Sequence, residues 1–146
     1  MQRRHLLQSS SLLALAMLSG AGYAQPTTVG GPNRQKLVIQ VSDPDPAKWN
    51  LALSNAKNVQ EDLGAANVDI EIVAYGPGIG MLKMDSVANS RVAEMLKAGV
   101  KVVACENTMR NQKLSKDDME AGISYASAGV TEIMRLQQAG WSYIRP

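Results

Sequence analysis

Val100-Lys101-Val102-Val103-Ala104-Cys105-Glu106-Asn107-Thr108 is a β-branched apolar run that stops at a cysteine. It then passes at once to residues suited to cap a short helical turn. Gly99 stands directly before it and ends a helical pattern carried by Ala88, Val92, Met95 and Leu96. Helix, glycine, strand and new turn therefore follow one another without a spacer. The same punctuation recurs at Gln138-Ala139-Gly140-Trp141, where a helix marked by Val130, Ile133, Met134 and Gln137 gives way to the strand Trp141–Ile144. Working back toward the N-terminus, Val68–Ala74 reads as a strand and Leu37–Val41 as another. Between them, Trp49, Ala52, Ala56, Val59 and Leu63 recur at helical spacing, after an Asp45 N-cap with Pro46 at the first helical position and before a stop at Gly64. Toward the C-terminus, Ser115-Lys116-Asp117-Asp118 predicts a short helix that fades near Gly122, and Ile123–Ala126 predicts a fourth strand.

Strictly alternating strands and helices call for a parallel sheet with helices on both faces. The unequal lengths of the units argue against a solenoid. In such sheets functional groups gather beyond the carboxyl ends of the strands, beside helix N-termini. The places to look are the residues after Val41, after Ala74 and after Ala104.

Composition narrows the chemistry. The 146 residues are 45% apolar and 19% charged, with one Cys, one His and no Phe, as expected of a single globular domain. The first 24 residues have the layout of an export signal. Arg3-Arg4-His5 is the basic start, Leu12–Leu18 the short apolar stretch, and Gly22-Tyr23-Ala24 the small-residue cleavage site, with cleavage after Ala24. The apolar stretch is too short to span a bilayer and is preceded by the polar run Gln8–Ser11. No stable membrane insertion is expected once the segment is removed. Arg3-Arg4-x-Leu6-Leu7 partly matches a twin-arginine signal, so both the Sec and the Tat route stay open. Residues 25–35 read as a flexible leader and 36–146 as the domain. Removing Arg3 and Arg4 from 15 basic residues leaves 13 against 13 acidic ones, a formal net charge of zero that speaks against nucleic-acid binding. Removing His5 leaves no histidine, so neither a Ser-His nor a Cys-His mechanism is available. One cysteine forms no intramolecular disulfide, no C-x-x-C pair and no zinc site, and no metal or cofactor is expected.

Cys105 is the leading candidate for chemistry. At a strand's carboxyl end, beside a helical turn started at Asn107-Thr108, its thiolate would be stabilised by N–H groups. Arg110 adds positive charge and Glu106 opposes it. The competing reading is a small buried apolar side chain, the usual role of free cysteine. Gly76-Pro77-Gly78-Ile79-Gly80 is either an anion cradle of backbone N–H groups or a tight turn needing positive φ. It matches neither G-x-G-x-x-G nor a P-loop. Of Asp43 and Asp45, capping accounts for Asp45 and leaves Asp43 as a pocket candidate. Lys57 and Lys101 carry no mark of a catalytic amine.

The run Val102–Arg110, with its Cys-x-Asn-Thr-Met core, resembles the DsrE/DsrF-like family in its small exported branch. Val73–Gly80, Gly129–Gln137 and the ending Gly140–Pro146 support the resemblance, which covers about Lys36 to Pro146. It implies a three-layer α/β/α fold with a mainly parallel five-stranded sheet, and homo- or hetero-oligomers, often trimers or hexamers. Better-known relatives relay sulfur: one cysteine carries sulfane sulfur as a persulfide and passes it to a thiol-bearing partner protein. Cys105 matches that cysteine in placement. Those relatives act in the cytoplasm, whereas this chain begins with an export signal. Three functions follow as expectations: a persulfide carrier, a non-catalytic oligomer that binds a small ligand, and a structural oligomer with Cys105 buried. The ligand-binding positions expected beside Cys105 are Asn107, Thr108, Met109, Gly76, Gly78 and Asp43.

Overall fold

The computed structural model describes residues 34–146. The expected signal segment, and the leader as far as residue 33, lie outside the described residues. Five strands form one sheet: β1 (Gln35–Val41), β2 (Val68–Ala74), β3 (Lys101–Cys105), β4 (Ser124–Ala126) and β5 (Ser142–Ile144). Four α-helices connect them: α1 (Pro46–Leu63), α2 (Asn89–Lys97), α3 (Glu106–Asn111) and α4 (Gly129–Gln138). The strand order is β4-β3-β2-β1-β5 and every pairing is parallel. The α/β architecture is thus the expected one, with the sheet wholly parallel.

Local chemistry sets the element ends. Asp45 caps α1 by accepting from the Ala47 N–H at 2.8 Å, with Pro46 following it. Gly64 ends α1 at φ 85°, where a side chain would be strained. The Ser115 reading is half right. Ser115 and Asp118 form a reciprocal capping box, yet they hold only a single 3-10 turn, Lys116–Asp118. The chain leaves that turn to place Met119 in the main core, so tertiary packing overrides the local helix signal.

The two faces of the sheet are unequal. On one, α1 and α2 cover Leu37, Ile39, Ile70, Ile72 and Val102, forming the main core. Leu53 on α1 is fully buried there. On the other face α4 alone, among the described residues, crosses β1, β2 and β3 over Val38, Val73, Val103 and Ile133. A ten-residue helix is about 15 Å long and about 10 Å across. Five strands span about 19 Å, and the seven-residue strands run about 23 Å. One helix therefore leaves much of this face open. Val130, Met134 and Tyr143 stand exposed on it or at its rim.

Candidate functional site

β3 carries Cys105 on the α4 side of the sheet, two residues beyond Val103 and in register with Ala126 of β4. Glu106 opens α3 immediately, so Cys105 is both the last residue of the strand and the N-cap of the helix. The N-terminus of α4 arrives at the same point. Gly129 makes this possible: a Cβ there would lie 3.1 Å from the Tyr75 Cβ and 3.3 Å from the Cys105 Cβ. Ala128, the N-cap of α4, has no side-chain oxygen, so no side chain of its own caps the first N–H groups of that helix.

The glycine-rich segment after β2 acts through Thr108. It is a 3-10 stretch, Gly76–Leu82, and not a simple turn. The N–H of Gly76 donates to Thr108 Oγ1 at 2.9 Å, and the N–H of Gly78 donates to the Tyr75 carbonyl at 3.1 Å. Both donors expected for an anion cradle are therefore engaged. The positive-φ reading holds at Gly76, with φ 53°. Gly78 is glycine for another reason: a Cβ there would lie 2.3 Å from the Val41 carbonyl oxygen. By accepting from Gly76, the Thr108 hydroxyl is left to turn its proton toward the Cys105 sulfur.

Cys105 is 5% exposed. Burial pushes its thiol pKa up, while the Thr108 hydroxyl and the N–H groups of Gly129, Thr108 and Asn107 pull it down. The result lies below the ordinary thiol value. The physical cause is a set of donors around a site with little water, where each dipole acts more strongly than in solvent. The Asn107 N–H is shared with the Ser127 carbonyl, 3.1 Å away, and the Asn107 side chain accepts from Arg110.

The expected positions separate into two groups. Cys105, Thr108, Gly76 and the Asn107 backbone come together. Met109 is buried in the main core, Gly78 packs on β1, and Asn107 presents its side chain outward. Asp43 follows β1, with β2 between it and β3, and is held by Arg145 at 3.1 Å and Lys48 at 3.3 Å. Those cations, Arg145 foremost, lower its carboxyl pKa. Gly129 and Tyr75 are the site residues that sequence reasoning missed. The glycine four residues before Ile133 was a signal, since a helix that starts on glycine can approach another backbone closely. Among the described residues no group of three or more His, Cys, Asp or Glu is placed to hold a metal ion.

A parallel α/β sheet with one cysteine at its carboxyl edge, facing the start of two helices, defines the class. Residues 35–146 match the model of the DsrE/DsrF-like family, and the chain belongs to that family. Its relatives with solved structures share the fold. A protein of unknown function from Methanobacterium thermoautotrophicum, MTH1491, is 38% identical with a TM-score of 0.73, over 77% of this chain and 99% of that one. BT1422 from Bacteroides thetaiotaomicron, a conserved protein of unknown function, is 18% identical with a TM-score of 0.64, over 77% of this chain and 95% of its own. The ychN protein of E. coli is 14% identical with a TM-score of 0.64, over 77% and 99%. No curated protein matches the chain.

Proposed function

We propose that this protein is an exported, single-cysteine sulfur carrier. The observation that carries the reading is the place of Cys105, at the end of β3 and against the starts of both α3 and α4, where its thiol pKa is lowered. The thiolate attacks the outer sulfur of a persulfide or polysulfide. A sulfur–sulfur bond forms at Cys105, the donor's own sulfur–sulfur bond breaks, and the remainder leaves as a thiolate. A partner thiolate then attacks the outer sulfur and releases Cys105. The N–H groups at those helix starts suit the persulfide anion, whose charge lies one atom further out. Membership of a family tied to sulfur relay supports the reading.

Export is inferred from residues 1–24. A homo-oligomer, a trimer or hexamer as in relatives, is inferred from the half-covered sheet face with Val130, Met134 and Tyr143 exposed. The test of the carrier is mass spectrometry of the folded protein after inorganic polysulfide. Addition of one sulfur atom, lost in Cys105→Ser, is the expected result. No addition, or equal addition in the variant, overturns the reading.

One observation favours a second reading. With Cys105 only 5% exposed, the site also suits a binding module in which the donors hold a small anion and the thiol never turns over. In that case Cys105→Ala leaves ligand affinity nearly unchanged, and the native thiol resists alkylation until the protein unfolds.

A further inference from the structure

Among the described residues Glu71 is the one charged side chain that the fold buries, at 2% exposed. It stands in the middle of β2, two residues before Val73, and so on the face that α4 crosses. Its register partners are Val38 on β1 and Lys101 on β3. α4 brings Glu132 and, one turn further on, Leu136 to the same place, and Trp141 stands beside them.

Lys101 Nζ lies 3.0 Å from Glu71 Oε2 and 3.9 Å from Glu132 Oε1, so two carboxyls lean on one half-exposed ammonium. The second Glu71 oxygen, Oε1, has no hydrogen-bond partner among the described residues. A buried carboxylate oxygen without a donor is costly, and a proton on the carboxyl removes that cost. The Glu132 carboxyl is within reach to accept a hydrogen bond from it. Burial, opposed by Lys101 and reinforced by Glu132, holds the Glu71 pKa above the ordinary carboxylate value. The other charged groups along this face are Lys36 of β1, Asp69 of β2 with its partner Arg34 at 2.7 Å, and Arg135 of α4. Lys101 and Glu132 are the two whose charge bears on Glu71.

α4 is held down by few apolar contacts. Gly129 and Ile133 are its buried residues, whereas Val130 and Met134 are exposed. A helix with so little buried apolar surface opens at lower cost than the core. Ionising Glu71 leaves two carboxylates and one ammonium beneath it. Water relieves that excess charge, and it reaches Glu71 when α4 lifts. Gly129 lies three residues before Glu132 on the same helix and packs against Cys105, so lifting α4 also uncovers the thiol.

We propose that a proton held on Glu71 and hydrogen-bonded to Glu132 is a latch that keeps α4 down over Cys105, closed in acid and released as pH rises. With the proton in place the charges of Glu132 and Lys101 cancel. Without it, one negative charge is left under the helix. The closed state binds this proton more tightly than the open one. Closure is therefore most favoured below the ordinary carboxylate value of 4.5, and the advantage is lost as pH rises through the folded value. The latch governs access to the thiol, and it stands whether Cys105 relays sulfur or only lines a binding site.

The experiment is amide hydrogen exchange from about pH 4 to about pH 8, read on α4 and on α1 in the wild type and in Glu71→Gln, which keeps a donor but does not titrate. In the wild type α4 should open more readily than α1, and its opening constant should rise by at least about tenfold across that range, the factor that one pKa unit carries. In Glu71→Gln the constant should stay level, and alkylation of Cys105 at about pH 8 should be several-fold slower than in the wild type. The proposal is overturned if α4 shares the opening constant of α1 at every pH, if the variant keeps the wild-type pH response, or if its thiol reacts at the wild-type rate. Should Glu71→Gln fail to fold, Glu132→Gln decides. Removing the charge of Glu132 should move the midpoint of the α4 response to lower pH, and an unmoved midpoint overturns the latch.

Discussion

A thiol that is 5% exposed meets reagents slowly, yet one whose pKa is lowered despite its burial, at the start of two helices, keeps more thiolate at neutral pH than an ordinary cysteine. At Cys105 the second effect decides the chemistry, because a relay needs the thiolate and only occasional access. The pH dependence of alkylation by iodoacetamide is the direct measurement. Its midpoint should fall below that of an ordinary thiol, since a lowered pKa leaves more thiolate at neutral pH. Thr108→Val keeps the shape of the side chain and removes the hydroxyl. It should move the midpoint up and slow alkylation at pH 7 by about tenfold, the size expected for a hydrogen bond to a charged group. A midpoint unchanged in that variant would mean that Thr108 does not govern the thiol. The same substitution leaves the Gly76 N–H without its acceptor, so a modest loss of stability should accompany it.

Among the elements, α4 does the most with the fewest residues. Among the described residues its ten form the whole second layer, and its first residue packs against Cys105. Gly129→Ala puts a methyl 3.1–3.3 Å from Tyr75 and Cys105, closer than most real contacts. The helix start must move outward, which takes one donor away from the sulfur. The expected outcome is a destabilisation of about 1–3 kcal/mol in urea unfolding, with a rise in the alkylation midpoint of Cys105. Beneath α4, burial raises the pKa of the Glu71 carboxyl, and Lys101 only partly offsets it. The folded protein therefore holds this proton more tightly than the unfolded chain does. That contribution is fully present below the ordinary carboxylate value of 4.5 and is lost as pH rises through the folded pKa. Glu71→Gln should flatten this part of the curve of stability against pH. An unchanged slope would place this loss of stability on raising pH elsewhere.

Considered whole, the molecule is lopsided. Among the described residues one face of the sheet is closed by α1 and α2, and the other carries one helix with Val130, Met134 and Tyr143 exposed. If that face joins copies of the chain, light scattering should report an assembly. Met134→Glu combined with Val130→Glu should then shift it toward monomer with little change in the thermal midpoint of the isolated domain. A wild-type monomer at every concentration tested would remove the oligomer from the proposed function.

Much of this was readable from residues alone. β1, α1, β2, α2 and β3 announce themselves by period, by the Asp45-Pro46 start and by the glycine stops, all of which act within a few residues. The alternation of types dictated a parallel sheet, and the end of β3 marked Cys105 as the residue to examine. The C-terminal third was less readable, because β4 and β5 have three residues each and α3 has six, too few for a period to show. What only the tertiary structure decided is the environment of the thiol. Tyr75-Gly76, Thr108 and Gly129 belong to three separate segments, and their meeting around Cys105 depends on how the end of β2 and the starts of α3 and α4 pack at the end of β3. Local preferences act along the chain and are written in neighbouring residues, whereas the field at a sulfur atom is summed over whatever the folded chain brings within a few ångströms of it.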